Sequence, residues 1–243
     1  ASLLPKSGGW YQETDQPTTP PGAHVDHLFD DRETLLLDLD GTLLDLAYDN
    51  YVWLEALPAA FAAEKAVSEA EARQRILGRI ERLRGTMNWY CLDDWSDALD
   101  FDVMAVKRAQ DDRIAWLEGA EAFLHRARLG GYRLVLVTNS VRQLLELKDE
   151  RTQVLTHMDA AYSSQDFGAP KETQTFWQRF SQVERIDRRD CLLIDDSAPV
   201  LHAGQTFGLG AVLGLRRPDT SRPSRDLPGL PTVENVAELL LGD

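Results

Sequence analysis

Three consecutive leucines followed at once by two carboxylates form the feature that most restricts how this chain can fold. The apolar run at residues 35–37 is typical of a strand buried on both faces, and Gly41 ends it. Asp38 and Asp40 follow the run, and side chains alternate along an extended chain, so both should point the same way. Because open α/β sheets bind ligands at the carboxyl ends of their strands, the sequence predicts an α/β fold with a site at this strand tip.

The two carboxylates are suited to covalent phosphoryl transfer. Asp38 would be the nucleophile, and Asp40 would protonate the leaving oxygen and later activate water against the aspartyl phosphate. Because carboxylates repel an anionic phosphate, a divalent cation is needed, and Mg²⁺ suits an all-oxygen site best. The alternative at this point is an acidic strand-to-turn junction without chemistry, and the later motifs decide between the two.

Polar residues also follow the next two apolar, strand-like runs. The second run ends in Thr138 and Asn139, whose hydroxyl and backbone N–H groups suit phosphate oxygens at a helix start. Lys171 follows the third run and Pro170, a residue favoured at the first position of a helix. We expect Lys171 to pair with the phosphate and to screen Asp38. A lysine in a first helical turn opposes the helix dipole, which argues against a purely solvated role.

Asp195 and Asp196 close a fourth apolar run, at residues 191–194. Two adjacent carboxylates at the end of a buried strand are costly unless a cation compensates them. Asp196 is therefore the first choice as a metal ligand, and Asp195 is a second ligand or a support through water. A fifth run at residues 211–215 completes the predicted sheet, and an amphipathic helix through residues 236–240 closes the chain.

The stretch between the first two motifs shows helical periodicity and no strand pattern. Pro58 should kink or restart the first helix, and Ser68 with Glu71 forms a capping box that opens the next one. We expect this stretch to be a helical cap over the acids. The predicted division of the chain is an irregular arm at 1–30, the α/β core at 31–45 and 119–243, and the cap at 46–118.

Charge and composition argue against several partners. The formal net charge of −14 disfavours nucleic acid and anionic membranes, because binding to either is driven by concentrated positive charge. The chain has no run of 18 apolar residues and no signal-like start, and Cys91 and Cys191 are interpreted as reduced thiols. We therefore expect a cytoplasmic protein without membrane contact. Four arginines among prolines are interpreted as a solvated loop: Arg216, Arg217, Arg222 and Arg225.

The order of these motifs resembles that of the haloacid-dehalogenase-like hydrolases, a superfamily made mostly of aspartate-nucleophile phosphatases. The matching positions are Asp38 and Asp40 in the pattern Asp-x-Asp-Gly-Thr-Leu-Leu-Asp, then Thr138, Lys171, Asp195 and Asp196. The resemblance implies a Rossmann-like sheet with an inserted helical cap, and Mg²⁺ held by Asp38, the backbone carbonyl of Asp40, and Asp196. Because dehalogenase members lack the second aspartate, Asp40 implies phosphate-ester hydrolysis or phosphomutase chemistry.

Two tryptophan-rich stretches of the predicted cap, at residues 44–53 and 88–95, resemble the bacterial GMP/IMP nucleotidases of this superfamily. The resemblance implies 5′-nucleotidase activity on purine nucleoside monophosphates, with the base stacked on aromatic rings under the cap. Four residues are nominated as contacts to the base: Asn50, Asn88, Trp89 and Tyr90. The competing interpretation is that the aromatic rings form the core of the cap itself.

Other functions compatible with the same motifs stay open at this point. A sugar-phosphate phosphatase or a phosphomutase of the same superfamily would use the same core and the same type of cap. A binding protein with a vestigial site belongs to a different class, and it is disfavoured because unpaired buried acids are costly without a use.

Overall fold

The computed structural model describes residues 25–239, and its sheet has six parallel strands. The strands are β1 (Thr34–Leu37), β2 (Arg133–Thr138), β3 (Ala160–Ser163), β4 (Cys191–Asp195), β5 (Ala211–Leu215) and β6 (Thr232–Val233). Their order in the sheet is β3-β2-β1-β4-β5-β6. β1 therefore lies between β2 and β4, and the carboxyl ends of these three strands meet at one edge. The predicted Rossmann-like parallel sheet is confirmed.

Helices cover both faces of the sheet and fill the segment between β1 and β2. The helices of that segment are α1 (Ala47–Tyr51), α2 (Leu57–Lys65), α3 (Glu69–Leu83), α4 (Met87–Tyr90), α5 (Leu92–Leu99) and α6 (Val103–Arg108). The helices after it are α7 (Ala120–Leu129), α8 (Arg142–Thr152), α9 (Gln174–Glu184) and α10 (Ala198–Phe207). The inserted helical cap is thus present, and the boundaries proposed for it stay a prediction.

The leucines of β1 alternate between the two faces of the sheet. Leu35 and Leu37 pack in one hydrophobic cluster with Phe123 of α7, and Leu36 packs on the other face with Trp177 of α9. All three leucines are fully buried. Burying a leucine side chain contributes about 1.5–3 kcal/mol, so this short strand is held firmly from both sides. The tip of β1 is consequently a rigid position for the carboxylates that follow it.

A third hydrophobic cluster lies within the cap. Trp53, Trp89 and Trp95 contact one another there, with Trp95 fully buried and its ring centroid 4.6 Å from that of Trp53. Val141 and Leu144 belong to the same cluster, so the cap packs against the start of α8. The three tryptophans therefore belong to the core of the cap itself. Trp89 packs at the edge of this core and remains half-buried.

Local sequence signals in the cap are largely borne out. A π-helical turn at Val52–Ala56 ends where α2 starts, and Pro58 lies in the first turn of α2, so the helix restarts there as predicted. Ser68 caps α3 by accepting a hydrogen bond from the Glu71 backbone N–H. The predicted capping box is only half formed, because the Glu71 carboxylate pairs with the Arg75 guanidinium instead.

The ends of the described chain differ from expectation. The predicted final helix is a short 3-10 helix at Val236–Leu239, and Leu240 lies outside the described residues. The two-residue strand β6 was not predicted, because two residues show no periodicity. Most of the predicted arm at residues 1–30 also lies outside the described residues. Within residues 25–239, no helix has the length and apolar character needed to cross a membrane.

Candidate active site

The loop after β1 brings Asp38 next to the tip of β4. The Asp38 backbone N–H donates to the Ile194 carbonyl over 3.0 Å, which extends the pairing of the two strands. Gly41 has a φ of +90°, and a Cβ there would lie 2.7 Å from the Pro218 Cβ and 2.9 Å from the Asp196 Cγ. Only glycine fits this left-handed, crowded position, so Gly41 allows the loop to approach Asp196 closely.

Three buried carboxylates converge at this edge of the sheet. Asp38, Asp195 and Asp196 each offer one oxygen, and these oxygens all lie within 4.8 Å of one another. The Lys171 ammonium donates hydrogen bonds to Asp38 and to Asp195, the latter over 2.8 Å, and also to the Val137 carbonyl over 2.9 Å. The sequence motifs that were predicted to meet at one point are therefore adjacent in the fold.

Burial shifts the protonation of all three carboxyl groups in the same direction. It raises the pKa of Asp38 to about 7, although the Lys171 ammonium acts in the opposite direction. It raises the pKa of Asp195 to about 6 against Lys171, and that of Asp196 to about 6 against the Arg225 guanidinium. Burial therefore outweighs the attraction of the two neighbouring cations, Lys171 and Arg225, and these cations do not fully balance the charge of the three carboxylates. A cluster of oxygen ligands with this deficit fits a hard divalent cation such as Mg²⁺.

Lys171 lies in a turn before α9 and not in a helical first turn. Thr173 is the N-cap of α9, and its hydroxyl accepts a hydrogen bond from the Phe176 backbone N–H. The prediction that Pro170 opens the helix was wrong, because a threonine side chain satisfies a free N–H of the first turn and proline cannot. The Lys171 backbone is held by Asn139, whose side-chain oxygen accepts from the Lys171 N–H over 3.1 Å.

Asp40 faces the loop that follows β2. One of its oxygens accepts a hydrogen bond from the Ser140 hydroxyl over 2.6 Å, and the other accepts from the Lys148 ammonium. Thr138 is buried, and its hydroxyl accepts from the Ser140 backbone N–H over 3.0 Å. The Asn139 amide donates to Glu172 over 3.1 Å. Asp40, Thr138 and Asn139 all line the same cavity as Asp38, as their predicted roles require.

The cavity has a volume of about 650 Å³ and extends from the carboxylate cluster to the aromatic residues of the cap. Of the four residues nominated as base contacts, Asn50, Trp89 and Tyr90 line it. Asn88 is exposed on α4 and is not among the lining residues, so its position does not support the nomination. Arg84 lines the cavity on the cap side and was not identified from the sequence.

Side chains of the cap reach the core around this cavity. The Tyr90 hydroxyl donates to Glu172 over 2.6 Å, and the Asn50 amide donates to Asp219 over 2.6 Å. Glu172 also accepts from Asn139, so it connects the cap to the loop after β2. The cap is therefore positioned by polar contacts on two sides of the cavity.

Residues outside the motifs also contact the site and were missed or misassigned. Arg225 was interpreted as part of a solvated loop, but its guanidinium donates to the Asp196 carboxylate over 2.6 Å and to the Asp196 backbone carbonyl. Arg216 and Arg222 likewise pair with carboxylates, Glu234 and Asp219. The Arg225 contact arises because the loop after β5 passes the end of β4, and composition carries no signal for this path.

Comparison with known proteins agrees with this geometry. The family profile of haloacid dehalogenase-like hydrolases matches residues 33–208. The GMP/IMP nucleotidase YrfG of Escherichia coli (strain K12) is 33% identical over 217 residues, covering 89% of this chain and 98% of that protein. The GMP/IMP nucleotidase YrfG of Shigella flexneri matches with the same identity and coverage.

Solved structures of low sequence identity share the fold. A HAD phosphatase from Thermococcus onnurineus has a TM-score of 0.71 at 19% identity, covering 85% of this chain and 95% of that one. The L-2-haloacid dehalogenase from Xanthobacter autotrophicus has a TM-score of 0.61 at 15% identity, covering 86% and 97%. The profile match and the relatives at 33% identity together establish the family of this chain. The chain belongs to the haloacid dehalogenase-like hydrolases and is a phosphatase-type member of that family.

Proposed function

We propose that this protein is a Mg²⁺-dependent purine 5′-mononucleotidase that works through an aspartyl phosphate on Asp38. The observation that carries the proposal is that one cavity is lined both by Asp38 with Lys171 and by the half-buried ring of Trp89. One end of this cavity has the charges to bind a phosphate, and the other has aromatic surface for a planar base. The relatives named GMP/IMP nucleotidase support the same assignment.

The reaction has two chemical steps, formation and hydrolysis of the aspartyl phosphate, and residues of this chain take part in both. Lys171 holds one oxygen of the Asp38 carboxylate, and the other oxygen attacks phosphorus as the bond to the ester oxygen breaks. Asp40 gives its proton to the leaving ester oxygen, which departs as the nucleoside hydroxyl. Asp40 then takes a proton from water, which attacks the aspartyl phosphate, so inorganic phosphate leaves and the Asp38 carboxylate is restored.

The remaining motif residues bind the phosphate and the cation. Thr138 and Asn139 orient the phosphate oxygens, and Lys171 offsets part of their charge. Asp38, the Asp40 carbonyl and Asp196 would hold Mg²⁺, with Asp195 as a further or indirect ligand, and the ion would supply the positive charge that the carboxylates lack. The cytoplasmic location predicted from the sequence is part of the same proposal.

Phosphate release from a panel of phosphomonoesters tests the substrate class. With Mg²⁺ present, we expect higher kcat/KM for GMP and IMP than for pyrimidine nucleotides and sugar phosphates, because stacking of the larger base adds binding energy. Activity confined to sugar phosphates would contradict the purine assignment. Interconversion of phosphate isomers without release of inorganic phosphate would instead support a phosphomutase.

A variant pair sharpens this test. Trp89→Leu should raise KM for GMP by roughly 5- to 150-fold, the equivalent of the 1–3 kcal/mol that stacking one base on an aromatic ring contributes. The same variant should leave KM for a small sugar phosphate within roughly threefold. Trp116→Leu is the matched control, because Trp116 contacts His157 and does not line the cavity.

Metal binding can be measured without any turnover. Mg²⁺ at about 100 times its Kd should stabilise the protein by about 2.7 kcal/mol, since it binds the folded chain only. We expect a thermal-shift assay to show a rise in Tm on adding Mg²⁺, its reversal by a chelator, and a much smaller rise for Asp196→Asn. The control Asp187→Asn removes an exposed carboxylate outside the cavity and should keep the full shift. An equal shift in both variants would exclude Asp196 as a ligand.

A further inference from the structure

Two buried lysines outside the family motifs lie beside the site. Lys107 belongs to α6 in the cap and Lys148 to α8 in the core, and each side chain is 1% exposed. A fully buried ammonium group is costly unless carboxylates pair with it. The proposed two-step chemistry does not use either lysine, so their burial has a separate explanation.

The two lysines are part of a chain of ion pairs that ends at Asp40. The Lys107 ammonium contacts the Asp49 carboxylate of α1 over 2.7 Å, and the Lys148 ammonium contacts the other oxygen of Asp49 over 2.6 Å. Lys148 also donates directly to the Asp40 carboxylate. The sequence of contacts is therefore Lys107, Asp49, Lys148 and Asp40, alternating in charge from the cap to the core.

Charge balance shows that Asp40 is a required partner of Lys148. Lys107 alone would neutralise Asp49, so a second buried ammonium beside it needs a second carboxylate, which Asp40 provides. Burial opposes the charge of Lys148, but Asp40 and Asp49 together raise the pKa of this lysine above its usual value. Burial likewise acts against the charge of Asp49, but Lys107 and Lys148 hold the pKa of that carboxyl well below its usual range. The four side chains are thus paired acid to base along a continuous series of contacts.

We infer that Lys148 is a positioning residue for the acid–base group Asp40, an inference that rests on the proposed role of Asp40. Lys148 binds one carboxylate oxygen and Ser140 binds the other, so the carboxyl group is fixed at both oxygens. A carboxylate has about four lone-pair positions, so two remain for proton exchange with the leaving oxygen and with water. Because the second bond of Lys148 goes to Asp49 in the cap, the orientation of Asp40 also depends on the position of the cap.

A double-mutant cycle on Lys148 and Asp40 tests this inference. Lys148→Met should lower kcat for both p-nitrophenyl phosphate and GMP by about 10- to 100-fold, as expected for a misplaced catalytic group, with KM within roughly threefold. In the Asp40→Asn background, the same change should lower kcat less than roughly threefold, because the group that Lys148 positions is already inactive. Equal losses in both backgrounds would overturn the inference.

Two further measurements separate positioning from a general loss of structure. Lys107→Met is the matched variant: it removes a lysine of equal burial that contacts Asp49 and not Asp40, so its loss in kcat should be several-fold smaller. If Lys148→Met does not fold, Lys148→Gln, which keeps a hydrogen-bond donor, replaces it in the cycle. Unfolding in urea of the four proteins gives a readout without turnover, and fully additive midpoint shifts would exclude the Lys148–Asp40 contact.

The choice of two substrates keeps this test independent of the substrate class. Rates with p-nitrophenyl phosphate report on Asp40 and Lys148 whether or not GMP is a substrate. Failure of the purine assignment would appear as turnover of p-nitrophenyl phosphate alone, and failure of the positioning role would appear as additivity with that same substrate.

Discussion

Asp38→Asn should eliminate turnover, with kcat on the order of 10⁴-fold or more below that of the unchanged protein, as for other nucleophiles. An asparagine amide has almost the same size as the carboxylate but does not attack phosphorus. The fold should persist, because burial already disfavours the charged form of Asp38 and Lys171 keeps its contact with Asp195. Loss of activity without loss of structure is the expected signature.

Covalent labelling gives this prediction a direct readout. Acid quenching during turnover of a labelled phosphomonoester should leave phosphate attached to the unchanged protein and none attached to Asp38→Asn. The control Asp187→Asn changes an exposed carboxylate outside the cavity and should label normally. If Asp38→Asn retained activity within tenfold, the nucleophile would have to be another residue.

Asp40→Asn should lower kcat for GMP by about 10²- to 10⁴-fold, the usual contribution of a general acid–base group. Asparagine still accepts a hydrogen bond from Ser140, but it has no proton to give to the leaving nucleoside oxygen and cannot take one from water. Lys148 loses one carboxylate partner, so the variant should also be less stable. Circular dichroism and Tm therefore need to accompany the kinetics.

The leaving group separates the two roles of Asp40. p-Nitrophenolate leaves without a proton, so formation of the aspartyl phosphate from p-nitrophenyl phosphate should be affected much less than formation from GMP. Hydrolysis of the aspartyl phosphate still lacks its base, so the variant should show a burst of p-nitrophenol close to one equivalent of enzyme. The same fold loss with both substrates and no burst would argue that Asp40 acts only through structure.

The core of the site could be predicted from sequence because each motif has a local signal. Asp38, Thr138 and Asp195 each end or follow a buried apolar strand, and the rules for parallel sheets place such strand ends at one edge. Strand order did not need to be known for this, since all the carboxyl ends of a parallel sheet point the same way. The predicted sheet and inserted cap were therefore correct in type.

Contacts between residues far apart in the chain could not be predicted from the sequence. Arg225 reaches Asp196 because of the path taken by the loop after β5, and Lys148 reaches Asp40 because α8 follows β2, the neighbour of β1 in the sheet. Neither residue has a spacing that distinguishes it from an ordinary surface arginine or helical lysine. The start of α9 was misplaced for a different reason, since Pro170 and Thr173 are both helix-start residues and the threonine prevailed.

The position of β1 in the sheet also determines when the site forms during synthesis. β1 needs β4 as its neighbour on one side, and β4 begins only at Cys191. Until that part of the chain leaves the ribosome, one edge of β1 remains open, and an open apolar edge is a template for aggregation. Lys171 is made before Asp195, so one of its two carboxylate partners is missing until β4 has been synthesised. The catalytic cluster is thus completed only after β4 has been made, when a central gap in the nascent sheet is filled.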